Sequence, residues 1–396
     1  MSTQSSSRYA FFVLSLLVLF SPLAIDIYLP ALPEMSQTFH VEPARVKDTI
    51  TWFMIAMGIG QLFAGPLADR FGRKPIALTG VMLYLLSSVM AYYSSNIEWL
   101  LAARVLQGIG ACATSVAAFA SVRDLYGARN SGKMISYLNG IICFIPALAP
   151  ILGAWLTQWF GWRANFTVMA VFAFVVGIIV VVSMPSQTSP KTKQAIDLRH
   201  YRHVLSNPSF MFHALMCMLA MGVILGYVTA APNYLIGELG LSMSQFTVWF
   251  SMNAAINILA CFIGPKLLQA KGPHLTLIVG IALLSAAALV MMSAVFGPSA
   301  LSFMLPIFVA SVGFALILGA AAGQALAPFG DKAGTASAVL GLFQMTGAGM
   351  LVTLTQGWFE SSVTHMVLLM SLSAPGLIIL ITQRARAWYP TLVVEK

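Results

Sequence analysis

Charge is what this 396-residue sequence has least of. Asp, Glu, Lys and Arg make up 8% of it, against 59% hydrophobic residues. A soluble domain carries roughly 25% charged residues, so a soluble core of this size would lack a polar coat. Cysteine is scarce too. Cys112, Cys143, Cys217 and Cys261 all fall inside apolar runs without metal-ligand spacing, which argues against a disulfide framework or a zinc site. There is no P-loop, no His/Cys cluster and no nucleophile constellation. Gly108-x-Gly110 does not follow a strand and is no dinucleotide loop. Enzymatic chemistry, ATP as the energy source, a metal and a cofactor are therefore not expected. Segments alternating polar and apolar over about 10 residues are also missing, which excludes an outer-membrane barrel.

What remains is a series of apolar runs of about 20 residues, the length of a membrane-spanning helix. The reading is an all-α membrane protein with twelve spans near 9–31, 46–67, 75–94, 98–119, 133–157, 163–184, 209–231, 243–265, 274–296, 300–326, 333–358 and 363–384. MSTQSSSRYAFF has one base, and no small-residue cleavage site follows its apolar run, so it reads as the start of an uncleaved span. The polar stretch 185–208, PSQTSPKTKQAIDLRHYRHVLSNP, splits the spans six and six. The expected organisation is thus an N-terminal bundle at 1–184, a linker at 185–208 and a C-terminal bundle at 209–396.

The net charge of +9 invites a nucleic-acid partner until the bases are located. If the N-terminus is cytoplasmic, 17 Lys and Arg fall on that side. Only Arg45, Lys47 and Arg163 fall on the other, and Arg104 lies within a span. By the positive-inside rule both termini and the linker are cytoplasmic. The basic balance then reports topology and contact with anionic lipid, not nucleic acid. Gly65-Pro66 and Gly264-Pro265 close the second and eighth spans alike, a faint repeat of the kind found in transporters built from parallel halves, with substrate between them.

Two charges lie well inside spans, Asp26 and Arg104. A charge in hydrocarbon costs at least about 2.5–3.5 kcal/mol on insertion scales, so each needs a partner or a cavity. Counted from the span ends, both sit roughly 9 Å below the same rim, a depth that allows pairing without showing it. Two readings fit Asp26: a rim residue at a helix broken by Pro22, Pro30 and Pro33, or a proton site whose affinity changes with its contact to Arg104. Arg104 either holds backbone carbonyls or couples to that site, and one role does not exclude the other.

The loop GPLADRFGRKP, 65–75, holds four charges. Topology alone would ask only for bases. Gly65 suits close helix approach, and Asp69 and Arg70 can pair with groups such as Arg123 and Asp124 or, for Asp69, with a helix N-terminus.

This segment resembles the cytoplasmic signature of the major facilitator superfamily, keeping its Asp69-Arg70-x-Gly72-Arg73-Lys74 core. Three further stretches resemble family motifs in order. Asp26-Ile27-Tyr28-Leu29-Pro30-Ala31-Leu32-Pro33 is similar to the first-span motif of drug/proton antiporters. Leu101 through Gly110, around Arg104, is similar to the fourth-span motif linked to proton coupling. Pro146 through Gly153, including Pro150, is similar to the fifth-span antiporter motif, with two of its glycines replaced by alanine. The resemblance covers the whole chain and points to the 12-span drug/proton antiporters of the bicyclomycin and chloramphenicol resistance type. It implies two pseudo-symmetric six-helix bundles, proton coupling at Asp26 and Arg104, and a conformational latch of Gly65, Asp69, Arg70, Gly72, Arg73, Lys74 and Arg123. A functional monomer in a bacterial inner membrane follows from the same likeness.

Polar and aromatic residues within the spans supply substrate-binding candidates: Tyr28, Gln107, Tyr137, Asn139, Tyr227, Asn253, Asn257, Gln324 and Gln344. Asn253 and Asn257 share one helix face. Taken singly, each also fits interhelical hydrogen bonding. The expected function is a proton-coupled exporter of small apolar or cationic compounds. Its rivals are a symporter or facilitator for a metabolite on the same fold, and a membrane sensor, which would need a sizeable soluble domain where the sequence has only a short linker.

Overall fold

A helix rises 1.5 Å per residue, so crossing about 30 Å of hydrocarbon takes about 20 residues. Two helices here are far longer, and each contains two spans. The computed structural model describes residues 2–184, 198–359, 361–382 and 388–389; the side chains of some helical residues, Asp69, Arg123 and Asn139 among them, lie outside that description. Within it the spans are α1 Tyr9–Phe39, α2 Pro43–Ala68, α3 Arg73–Tyr92, α4 Ile97–Tyr126, α6 Arg163–Ser183 and α7 Pro208–Glu238, with the shorter apolar helix α5 Phe144–Phe160 between α4 and α6. Met243–Phe296 supplies α8 and α9, and α10 Ala300–Phe329, α11 Thr335–Gln356 and α12 Ser362–Ile381 complete the set.

The division of Met243–Phe296 falls at Gly272, whose φ of 76° breaks the helix. Helix Ile97–Phe160 has 64 residues, and hydrogen bonds at its ends show that it doubles back. Arg163, just past its C-terminus, donates to Tyr92 O at 3.1 Å and Ser94 O at 3.0 Å, just before its N-terminus. Its two ends therefore lie side by side, as α4 and α5 require. The twelve spans read from the sequence are thus all helical, and no strand occurs among the described residues. Two of them run on past the expected ends, α1 to Phe39 and α7 to Glu238. Proline bends these helices without ending them. Pro30 sits in a 3-10 turn at Leu29–Ala31, and a π-helical turn at Asn233–Glu238 follows Pro232.

Packing divides the chain into two compact units, Met1–Asp197 with Ala231–Ala254, and Leu198–Ala230 with Ala255–Lys396. In the first unit α1–α6 alternate in direction, which gathers polar groups at two ends. One end joins Arg73 Nε to Asp124 at 3.0 Å, Lys74 Nζ to Val181 O at 2.8 Å and Ser183 Oγ to Tyr9 OH at 3.0 Å. The other joins Arg45 to Asp48 at 3.1 Å and to Glu98 at 3.6 Å, beside Arg163. The turn Asn233–Glu238 packs here too, on the α1 segment Leu32–Phe39.

The same backbone devices recur in both halves of the sequence. Gly72 (φ 92°) follows Gly65-Pro66, and Gly272 (φ 76°) follows Gly264-Pro265. Gly80 of α3 meets Gly110 of α4 so closely that a Cβ on Gly80 would lie 2.8 Å from Gly110 O. A Cβ on Gly313 of α10 would likewise lie 2.8 Å from Gly280 O of α9. Small residues let helix backbones approach where lipid offers no hydrophobic drive for association. In the second unit the His213 imidazole on α7 is buried between Ser209 O (2.6 Å) and Tyr389 OH (2.6 Å), and the Tyr389 ring lies 4.9 Å from that of His274.

Candidate functional site

Past Asp26 the α1 backbone leaves α-helical geometry, with Tyr28 at φ −102°, ψ 4°. Pro30 lacks the N–H that the Asp26 carbonyl would take at i+4, and the Ala31 N–H bonds Tyr28 O at 2.9 Å. The break therefore frees main-chain oxygens in the middle of an apolar span, and two other helices close on it.

From α4, the fully buried Arg104 reaches across it. Its Nη2 donates to Ala24 O at 2.8 Å, its Nε donates to Thr49 O on α2 at 3.1 Å, and its Nη1 donates to Gln107 Oε1 one turn along α4. The guanidinium lies against two aromatic faces, 4.8 Å from the Tyr28 ring and 4.5 Å from the Phe53 ring. Hydrogen bonds from a charged group are worth about 1.5–3 kcal/mol each and desolvated cation–π contacts about 2. Together they exceed the roughly 2.5–3.5 kcal/mol insertion cost of the charge. The surroundings are polar only where Arg104 needs them. Gln107 Nε2 donates to Ser88 Oγ at 2.8 Å, and the Tyr28 hydroxyl meets Thr49 Oγ1 at 2.9 Å.

From α5 comes Gly153. A Cβ there would overlap Ile27 O, the carbonyl next to Asp26. The fifth-span motif thus places its glycine where only a glycine clears the break in α1.

Asp26 itself is 5% exposed, at the end of the helical segment Phe20–Asp26. It makes no hydrogen bond or ion pair with any described residue. Equal depth left a pairing of Asp26 with Arg104 open, and the geometry does not make it, because Arg104 turns its donors to the carbonyls of Ala24 and Thr49. Asp26 is also deeper than the expected end of α1 implied. Glu34 lies level with Trp162, whose N–H it accepts at 3.5 Å, and Asp26 is eight residues further in, about 12 Å at helical rise.

The other sequence candidates separate. Tyr28 and Gln107 are fully buried and spent on the Arg104 network, so they support it and are shielded from any substrate in this conformation. Tyr137 is exposed, with its ring edge-on to Phe11 at 6.4 Å. Asn253 and Tyr227 are buried. Asn257, Gln324 and Gln344 are half-buried. Asn257 accepts from the Cys261 thiol at 3.6 Å, and Gln344 sits in the π-helical turn Phe343–Gly347, a local widening often found at functional sites. The Asn139 side chain lies outside the described residues.

In the 65–75 loop, Arg73 pairs with Asp124, and Arg70 stacks over Phe71 at 5.1 Å. Gly65 has open space where its Cβ would be, so the close approach expected of it is not made. The Asp69 and Arg123 side chains lie outside the described residues. Pro150 is buried and Pro146 half-buried within helix Ile97–Phe160. Thr49 and Ser88, which add to the polar interior of this unit, escaped the sequence reading. For Gln107 a signal existed, since residues three apart on a helix are neighbours.

The Major Facilitator Superfamily profile matches residues 14–352. The multidrug resistance protein MdtL of Escherichia fergusonii is 32% identical over 276 residues, which is 69% of this chain and 70% of that one. MdtL of Shigella dysenteriae gives the same figures. Among solved structures, a D-xylose-proton symporter superposes with a TM-score of 0.78 at 15% identity, covering 95% of this chain and 98% of the symporter. A bacterial homologue of the human lysosomal transporter Spinster, inward-facing and unoccupied, gives 0.72 at 17% identity, covering 96% of each chain. At such identities these two likenesses speak for the fold alone.

Proposed function

The chain belongs to the major facilitator superfamily of membrane carriers, which are not enzymes, and from that premise we propose that it is a proton-driven multidrug exporter. The observation that carries this reading is Asp26, a carboxylate deep in a span, at a break in the helix, with no partner among the described residues. A structural carboxylate would be paired; an unpaired one in apolar surroundings can take and release a proton as access changes. The drug-resistance names of the MdtL relatives support export of small apolar or cationic compounds.

In this reading Asp26 takes a proton from the periplasmic face of a bacterial inner membrane, with both termini cytoplasmic, and gives it up to the cytoplasm as substrate binds there, the two accesses alternating. Arg104 holds α1, α2 and α4 around the break so that the carboxylate remains in its pocket. It acts as a positioning residue, not as the counter-ion. The 1–184 and 209–396 bundles are the moving bodies of a monomer, and the 65–75 loop with Arg73–Asp124 latches the cytoplasmic end. Tyr137, Asn257, Gln324 and Gln344 are the substrate candidates that burial leaves open. One carboxylate deep in a span implies one proton per cycle, so export of a neutral drug is electrogenic and that of a monocation electroneutral.

Cells expressing the protein should expel a labelled lipophilic cation against its gradient and stop when an uncoupler is added. Uncoupler-insensitive equilibration would make it a facilitator. Proton-driven accumulation would make it a symporter, the activity named for the xylose transporter that shares the fold.

A further inference from the structure

Asn165-Phe166-Thr167 reads by its letters as a glycosylation sequon, but Asn165 is fully buried near the start of α6. Its amide orientation is fixed. Nδ2 donates to Trp162 O at 3.1 Å and to Thr157 Oγ1 at 2.9 Å, and the Thr157 hydroxyl spends its own proton on Gly153 O at 2.7 Å. A flipped amide would set its oxygen against the Trp162 carbonyl. Asn165 Oδ1 is therefore the end that is left, buried and without a protein donor.

That oxygen has a specific neighbour. A Cβ on Gly153 would lie 3.3 Å from Asn165 Oδ1 while overlapping Ile27 O, so the amide oxygen, the Gly153 Cα and the Ile27 carbonyl converge on one spot. Ile27 O is one of the oxygens released by the break in α1, and it adjoins Asp26. Acceptors gathered in an apolar interior call for a shared donor, a role that ordered water fills in protein interiors. The polar groups continue outward. Thr157 and Trp162 lead from Asn165 to Glu34, which accepts the Trp162 N–H at 3.5 Å and is half-buried at the rim. Trp162 thus joins the Asn165 amide to Glu34 through its backbone, and Ile27 follows Asp26 along the chain.

We infer that Asn165 is a positioning residue for proton access: its Oδ1 and the Ile27 carbonyl hold the water through which a proton passes between the Glu34 rim and the Asp26 carboxyl. This rests on the reading of Asp26 as the proton site. The proton is carried by water and no bond to Asn165 forms or breaks. Of the other titratable and charged groups of this region, all named here but Tyr84 are engaged or lie at the rim. Arg104 on α4 is bonded to Ala24, Thr49 and Gln107, and Tyr28 on α1 to Thr49. The Tyr84 ring on α3 packs edge-on against Phe20 with its hydroxyl buried, and Arg163 on α6 is bonded to the carbonyls of Tyr92 and Ser94 at the rim.

The test uses the full chain in proteoliposomes, with tetraphenylphosphonium as probe. Gradient-driven transport is measured across a pH series in H2O and D2O, and drug counterflow without a pH gradient is measured alongside. Wild type, Asp26→Asn, Asn165→Leu and Asn165→Ser are compared. With Asp26→Asn undriven, Asn165→Leu is expected to slow driven transport several-fold, to displace its pH profile and to raise the solvent isotope effect, with counterflow intact. Asn165→Ser keeps an acceptor and room for water, and should recover most of the rate. Where the leucine variant fails to fold, Asn165→Ala carries the same comparison. An unchanged pH profile and isotope effect in the variant would overturn the inference. So would equal loss of counterflow, which would mark Asn165 as purely structural. Wild-type drive in Asp26→Asn would instead bring down the proton-site reading, and the inference with it.

Discussion

Replacing Arg104 by lysine keeps the charge and removes the fork. In the native site three nitrogens of one planar group reach Ala24 O, Thr49 O and Gln107 Oε1, acceptors on three helices. One ammonium on a flexible stem cannot hold all three, nor lie flat on both Tyr28 and Phe53. Losing two charge-assisted hydrogen bonds at about 1.5–3 kcal/mol each costs about 3–6 kcal/mol. That is a large share of the roughly 5–15 kcal/mol typical of folded proteins. Asp26→Asn should behave in the opposite way. It removes a buried carboxylate that has no partner among the described residues, so stability should hold or rise. The assay is thermal unfolding of purified protein followed with a thiol-reactive dye. Cys112 in the first unit and Cys217 in the second are buried and report opening, while Cys261 is exposed from the outset. Arg104→Lys should expose Cys112 at a clearly lower temperature than wild type, and Asp26→Asn should not. A wild-type melting curve for Arg104→Lys, or an equal drop for both variants, would refute the reasoning. The second outcome would mean that guanidinium and carboxylate share a bond after all.

Gly153→Ala drives a methyl into the Ile27 carbonyl. Overpacking of this kind costs about 1–3 kcal/mol, and drug export measured in cells should fall because the break beside Asp26 is displaced. Tyr28→Phe loses the Thr49 bond, but Thr49 still donates to Val46 O at 2.6 Å. Its stability cost should stay near 1 kcal/mol, and a larger drop in the same thermal assay would show that the hydroxyl does more. Asp124→Asn removes the ion pair with Arg73 at a partly exposed site and should cost under about 1 kcal/mol of stability. If the latch reading holds, it should nonetheless slow export.

The helices were legible because span length and apolarity are enough to find them, and α1 through α12 all appear where runs of about 20 apolar residues stand. Their ends were less so. The expected spans close at residues 31 and 231, but a chain that stays buried past a proline bends and continues, as α1 and α7 do. The residue content of the site was legible too: Asp26, Arg104, Gly153 and the 65–75 loop all stand out by charge or motif. What they touch was not. A helix that is apolar all round carries no mark of its rotation, so equal depth suggested a pair that the geometry does not make. Arg104's true partners are mostly main-chain carbonyls, which no side-chain pattern announces. Gln107 was placed with the substrate set because a buried amide looks alike in either role; its position three residues from Arg104 was the clue. Gly65 illustrates the converse, a motif glycine with empty space around it in this conformation.

The central claim is that the Asp26 carboxyl carries the transported proton. Its most direct test is proton release in proteoliposomes loaded with a pH dye, where drug is added under an imposed pH gradient to wild type and to Asp26→Asn. The account predicts that drug dissipates the gradient through the wild-type protein, and that the asparagine variant exchanges drug for drug but moves no protons. An asparagine variant that dissipates the gradient and concentrates drug at the wild-type rate would contradict it.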